Sequence, residues 1–65
     1  MEKQYAVYRV YIEPGKIDKW FWGVWPEKDK YKANEAALDL RDECNCFTEV
    51  IEFDAGEEIP QHISL

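Results

Sequence analysis

The sequence predicts a small α+β domain: an antiparallel three-stranded sheet with one helix packed on one face, in the order β-β-α-β. Three observations predict it. Residues 5–12 and 17–25 are rich in β-branched and aromatic side chains and flank a Pro-Gly turn. Residues 33–44 repeat small and apolar side chains at helical spacing, and residues 46–53 return to a β composition.

The first strand, Tyr-Ala-Val-Tyr-Arg-Val-Tyr-Ile, has the side chains that suit a pleated, half-buried surface. Glu13-Pro14-Gly15-Lys16 follows as a tight turn, because Pro presets φ at the first central position and Gly accepts positive φ at the second. The second strand ends at Pro26, which has no N–H for a ladder. A charged connection spans residues 26–32. The helix is expected to start near Ala33 or Asn34, with the Asn side chain as its cap. Its apolar stripe is Ala33, Ala37, Leu40 and Cys44, and Asn45 is a suitable left-handed stop. After the third strand, residues 54–58 read as a turn or loop. Pro60 restricts the tail Ile59–Leu65 to an edge or an irregular path. A right-handed crossover from the second strand places the third beside the first, giving order 2-1-3.

A two-residue hairpin loop sets Glu13 against Lys16 and divides the side chains between two faces. Tyr5, Val7, Arg9, Tyr11, Trp20, Trp22 and Val24 share one. Ala6, Tyr8, Val10, Ile12, Ile17, Phe21, Gly23 and Trp25 share the other. Ala6 opposite Gly23 makes a shallow spot where an Ala-rich helix can approach, so the second face is expected to be the core. The first is then a contact surface of Tyr5, Arg9, Tyr11, Trp20 and Trp22, a residue set enriched in interface hot spots. Its expected occupants are the C-terminal tail (Ile59, Ile63, Leu65), a second copy of the chain, or another macromolecule.

Sixty-five residues (1–65) form a single domain near the size at which a core alone ceases to suffice. Cys44 and Cys46 are too close for an unstrained bridge and read as small apolar residues at a helix end. With His62 they are too few for a structural zinc site, so neither metal nor other cofactor is expected, and a homodimer is the expected support. No segment approaches the roughly 20 apolar residues of a membrane span, and residues 1–4 carry no signal-peptide pattern, so a cytoplasmic, membrane-free protein is expected.

The net charge of −6 is unevenly spread. Residues 1–32 hold seven Lys/Arg against five Asp/Glu, and residues 33–65 hold one against nine. Glu35, Asp39, Asp42 and Glu43 on the helix, with Glu49 and Glu52 on the third strand, form a candidate acidic surface. A single His in the tail and isolated glycines leave nothing for catalysis or phosphate binding. The expected function is therefore non-catalytic binding of a partner protein, as a small acidic adaptor or an inhibitor that presents negative charge to a basic site. The alternatives are single-stranded nucleic acid stacked on the aromatic face, which the charge disfavours, and a purely structural homodimer.

Overall fold

The computed structural model describes residues 2–65. The order is β1 (Lys3–Glu13), β2 (Lys16–Pro26), a 3-10 turn (Glu27–Asp29), α1 (Lys30–Cys44), β3 (Phe47–Asp54) and β4 (His62–Ser64). The α+β class and the expected 2-1-3 neighbours are present, but the sheet has four antiparallel strands in the order β3-β1-β2-β4. Only three residues of β4 join it, too few to show a period-2 pattern in sequence.

The hairpin closes at Glu13↔Lys16 with Gly15 at φ 75°, so the turn uses the freedom that glycine alone supplies without strain. Residues 30–44 contain no β-branched side chain, which lets the helix begin at Lys30, a turn earlier than expected. That start puts Asn34 inside the helix and not at its cap; the cap position is Asp29, which makes no side-chain cap bond. Ala33, Ala37 and Leu40 are buried, and Asn45 ends the helix in the left-handed conformation (φ 52°). Cys44 does not join this stripe; it is exposed.

The assignment of faces is overturned. A β-bulge lies between Val7 and Tyr8: Tyr8 faces Phe21 and Val7 faces Gly23, leaving Trp22 as the extra residue. Beyond it Ala6 faces Val24, not Gly23, and Tyr5 faces Trp25. The bulge therefore moves Gly23 and Trp25 to the Tyr5/Val7 face. That face, the front, carries the helix: Tyr5, Val7, Ala33, Ala37 and Leu40 form the cluster, with Trp25 and Val50 packed against it. β2 and β3 both run antiparallel to β1 and so parallel to each other, which makes α1 a crossover connection. The side such a helix takes follows from its handedness, not from which face is more apolar.

The back face is covered by chain of another kind. Residues 55–61 cross it between β3 and β4, held where the Tyr8 hydroxyl donates to the Pro60 carbonyl at 2.6 Å and the Phe21 N–H donates to the Gln61 carbonyl at 2.9 Å. Gln4 Nε2 donates to the carbonyls of Asp54 and Glu57. Ala6 and Tyr8 are completely buried. The Lys19–Glu49 ion pair, at 2.7 Å, spans β1 beside the buried Val10. The tail thus folds over the sheet as one expectation had it, but on the face opposite the tryptophans.

Candidate functional site

A helix about 10 Å across covers roughly two strands spaced 4.7–4.9 Å apart. α1 lies over β1 and β3, where Thr48 Oγ1 donates to the Ala37 carbonyl at 2.9 Å. Apart from Trp25, which packs against the helix cluster, the front of β2 and β4 is left largely bare. Trp20 and Trp22 are 44% and 47% exposed there, and Tyr11, at the hairpin end, is 43% exposed.

These rings are held in place. Trp22 stacks on Trp25 (6.0 Å between centroids, 21° between planes). Gly23 makes that possible, because a Cβ there would meet the Trp25 ring at 3.1–3.2 Å. Trp20 stacks on His62 (4.0 Å, 17°), its β4 neighbour. His62 Nε2 is 2.8 Å from Asp18 Oδ1, and this hydrogen bond, followed by the charge of Lys16, holds the Asp18 carboxyl below its ordinary pKa. Arg9 faces Trp20 as the hairpin register requires, and is half-buried. Of the five expected contact residues, Arg9, Tyr11, Trp20 and Trp22 border this surface. Tyr5 does not: it is 7% exposed beneath the helix, with Lys30 over its ring and its hydroxyl donating to Glu52.

The acidic residues divide. Asn34, Leu38 and Arg41 line a groove with the β3 residues Phe47, Thr48 and Val50, which fixes the flank of α1 that faces β3. At 3.6 residues per turn the opposite flank carries Ala36, Asp39 and Glu43, toward β2. Glu35 and Asp42 point away from the sheet. Glu35, Asp39 and Glu43 are exposed and have no ion-pair partner among the described residues, while Asp42 lies 3.8 Å from Arg41. Glu49 and Glu52 do not extend this surface. Glu49 is on the back face paired with Lys19, and Glu52 is on the front, bonded to Tyr5 on the β3 side of the helix.

Two surfaces that are separate in the sequence therefore lie on the same side of the sheet: aromatic rings on the front of β2 and β4, and the acidic flank of α1 opposite its β3-facing side. Trp25 and His62 belong to the aromatic surface and escaped sequence reasoning. The bulge that turns Trp25 forward leaves no composition signal, although a Gly between tryptophans in a strand is a hint of one. His62 is brought in by a strand of three residues. Among the described residues, no three His, Cys, Asp or Glu side chains are placed to hold a metal ion together, and no helix is long and apolar enough to cross a membrane. No protein-family model matches the chain, and no curated protein or solved structure shows significant similarity to it.

Proposed function

We propose that this chain is a non-catalytic protein-binding domain whose half-exposed aromatic front face receives a basic segment of a partner protein. The observation that carries the reading is the pair of half-exposed, pre-stacked tryptophans, Trp20 and Trp22, on the same side of the sheet as the uncompensated carboxylates of α1. Aromatic patches of this extent on a small domain mark interaction sites. A Lys or Arg side chain laid on an indole gains cation–π attraction, and Asp39 and Glu43 add charge complementarity that steers encounter. An adaptor or an inhibitor of a basic site is the role that fits. The flat stacked rings also suit nucleobases, but a phosphate backbone would meet a chain of net charge −6.

Calorimetric titration with an Arg/Lys-rich peptide, an acidic peptide of equal length and oligo-dT separates the readings. Saturable binding of the basic peptide alone is expected, weakening with salt and lost in Trp20→Ala, Trp22→Ala. Binding of oligo-dT alone would replace this reading with the nucleic-acid one. Binding of none of the three, with light scattering showing a dimer that the double variant dissociates, would replace it with the structural homodimer.

A further inference from the structure

The two edges of the sheet are finished differently. At β4 only three residues pair, and Pro60 stands just before them. Short strands and prolines keep an edge from pairing with another chain. At the other edge β3 runs for eight residues, all paired with β1 without a bulge, and it holds neither Pro nor Lys. Its outer row of backbone N–H and C=O groups is a regular template for one more strand. The segment 55–61 leaves β3 over the back of β1 and β2, so it does not shield this edge.

Apolar side chains collect at the same border. Phe47 is 64% exposed at the start of β3, and Leu38 is exposed in the groove between β3 and α1. Tyr31, 58% exposed, stands seven residues before Leu38 and therefore on the same flank of the helix. With roughly 150–250 Å² per aromatic side chain, the two rings expose about 400–600 Å² on a pair of chains, a large part of the about 1,000 Å² that a specific interface clears.

We propose that β3 pairs antiparallel with β3 of a second copy, about a two-fold axis at Val50, and joins the two sheets into one closed dimer. The charges select this register. An axis perpendicular to the sheet keeps front with front, so each residue meets one of the same alternation. An axis at Glu49 or at Glu52 would oppose two carboxylates directly. An axis at Val50 sets Glu52 against Thr48, Glu49 against Ile51 and Phe47 against Phe53 of the second copy. Glu49 is already neutralised by Lys19 at 2.7 Å. An axis at Ile51 also separates the carboxylates, but it puts Phe47 opposite Ala55, beyond the end of β3.

The helices agree with the same register. α1 lies over both β1 and β3, so strands about 4.8 Å apart bring the two copies of α1 to about 10 Å between axes, a normal packing distance. Thr48 bonds the Ala37 carbonyl and so fixes which part of α1 stands above it. Val50 lies about 6.6 Å further along the strand, the length of about four helix residues in the opposite direction. Asn34 therefore falls near the axis, and Tyr31 of each copy falls near Leu38 of the other. The tryptophan surface lies at the far side of the sheet and stays open, so the dimer goes beyond the binding role and displays that surface twice.

Sedimentation equilibrium of the full chain over a concentration series tests this. A reversible step from one chain to two is expected, tightened by salt because each copy carries a net charge of −6. Phe47→Lys and Leu38→Gln, both at exposed positions, should each weaken the step about tenfold or more, since every substitution acts twice in the dimer. Circular dichroism verifies that the variants fold. Amide exchange at alternate β3 residues of the parent chain should slow as concentration rises, which reads the interface without any variant. A chain that stays single would overturn the proposal and leave the edge to an extended segment of another protein. A dimer that Phe47→Lys leaves intact and Trp20→Ala, Trp22→Ala dissociates would overturn it, because the tryptophan face would then be the contact. Growth past two chains would overturn it as well, since head-to-tail strand addition does not close.

Discussion

The two halves of the front face are built from similar side chains and end in opposite states. On the β1/β3 half, Tyr5 and Val7 are buried under α1. On the β2/β4 half, Trp20 and Trp22, larger and no less apolar, stay half-exposed. Hydrophobicity therefore does not decide burial here. The width of one helix does, because it covers about two strands of a four-stranded sheet. The back face differs again: irregular chain covers it, so its closure rests on individual hydrogen bonds as well as on apolar contact.

Substitutions can break or sharpen this contrast. The largest effect belongs under the helix. Leu40→Ala should lower stability by about 2–5 kcal/mol in urea unfolding, since a buried side chain leaves a cavity that the small core cannot close. A loss as large from Trp22→Ala would show that the bare half is core after all. Gly23→Ala comes next. Its Cβ presses on the Trp25 ring, so a loss of about 1–3 kcal/mol and a shifted tryptophan emission are expected. Unchanged emission would mean that the ring does not depend on the missing side chain.

On the back face, Tyr8→Phe removes the donor to the Pro60 carbonyl at a cost of about 1 kcal/mol. Amide exchange should quicken at Phe21 and Leu65, whose N–H groups hold the crossing segment and the C-terminus to β2, and not at Ala37 in α1. Uniform quickening would show that tail and helix open together.

The smallest effect concerns the Asp18–His62 contact. Asp18 titrates below its unfolded value, so its contribution to stability is fully present above that ordinary carboxylate value. It is lost as pH falls through the lower folded value. Asp18→Asn should flatten this acid limb and speed exchange at the β4 amides; an unaltered acid limb would remove the contact from the account.

How much of this was legible in the sequence follows the range of each interaction. The turn at Pro14-Gly15, the Arg9–Trp20 pairing, the Ala33/Ala37/Leu40 stripe and the stop at Asn45 are set by neighbours a few residues apart, and all were readable. The candidate site was half-readable. Trp20, Trp22, Arg9 and Tyr11 were found as a set, and Asp39 and Glu43 as another, but nothing local joins them. Tyr5 was misplaced because the two-residue loop identifies its companions without saying which side the helix takes. Glu49 and Glu52 were grouped by charge, whereas strand alternation sends them to opposite faces.

By itself, the sequence determined the hairpin, the helix and the third strand, because short-range periodicity and turn chemistry specify them. Only the tertiary structure decided the rest. One extra residue, Trp22, exchanges the faces of everything beyond it on β2, since side chains alternate with a period of two. The crossover then puts α1 on the Tyr5/Val7 side, and the crossing chain takes the other side and brings His62 to Trp20. Register, handedness and long-range docking act between residues far apart in the chain, and together they put the tryptophans and the helix on the same side of the sheet.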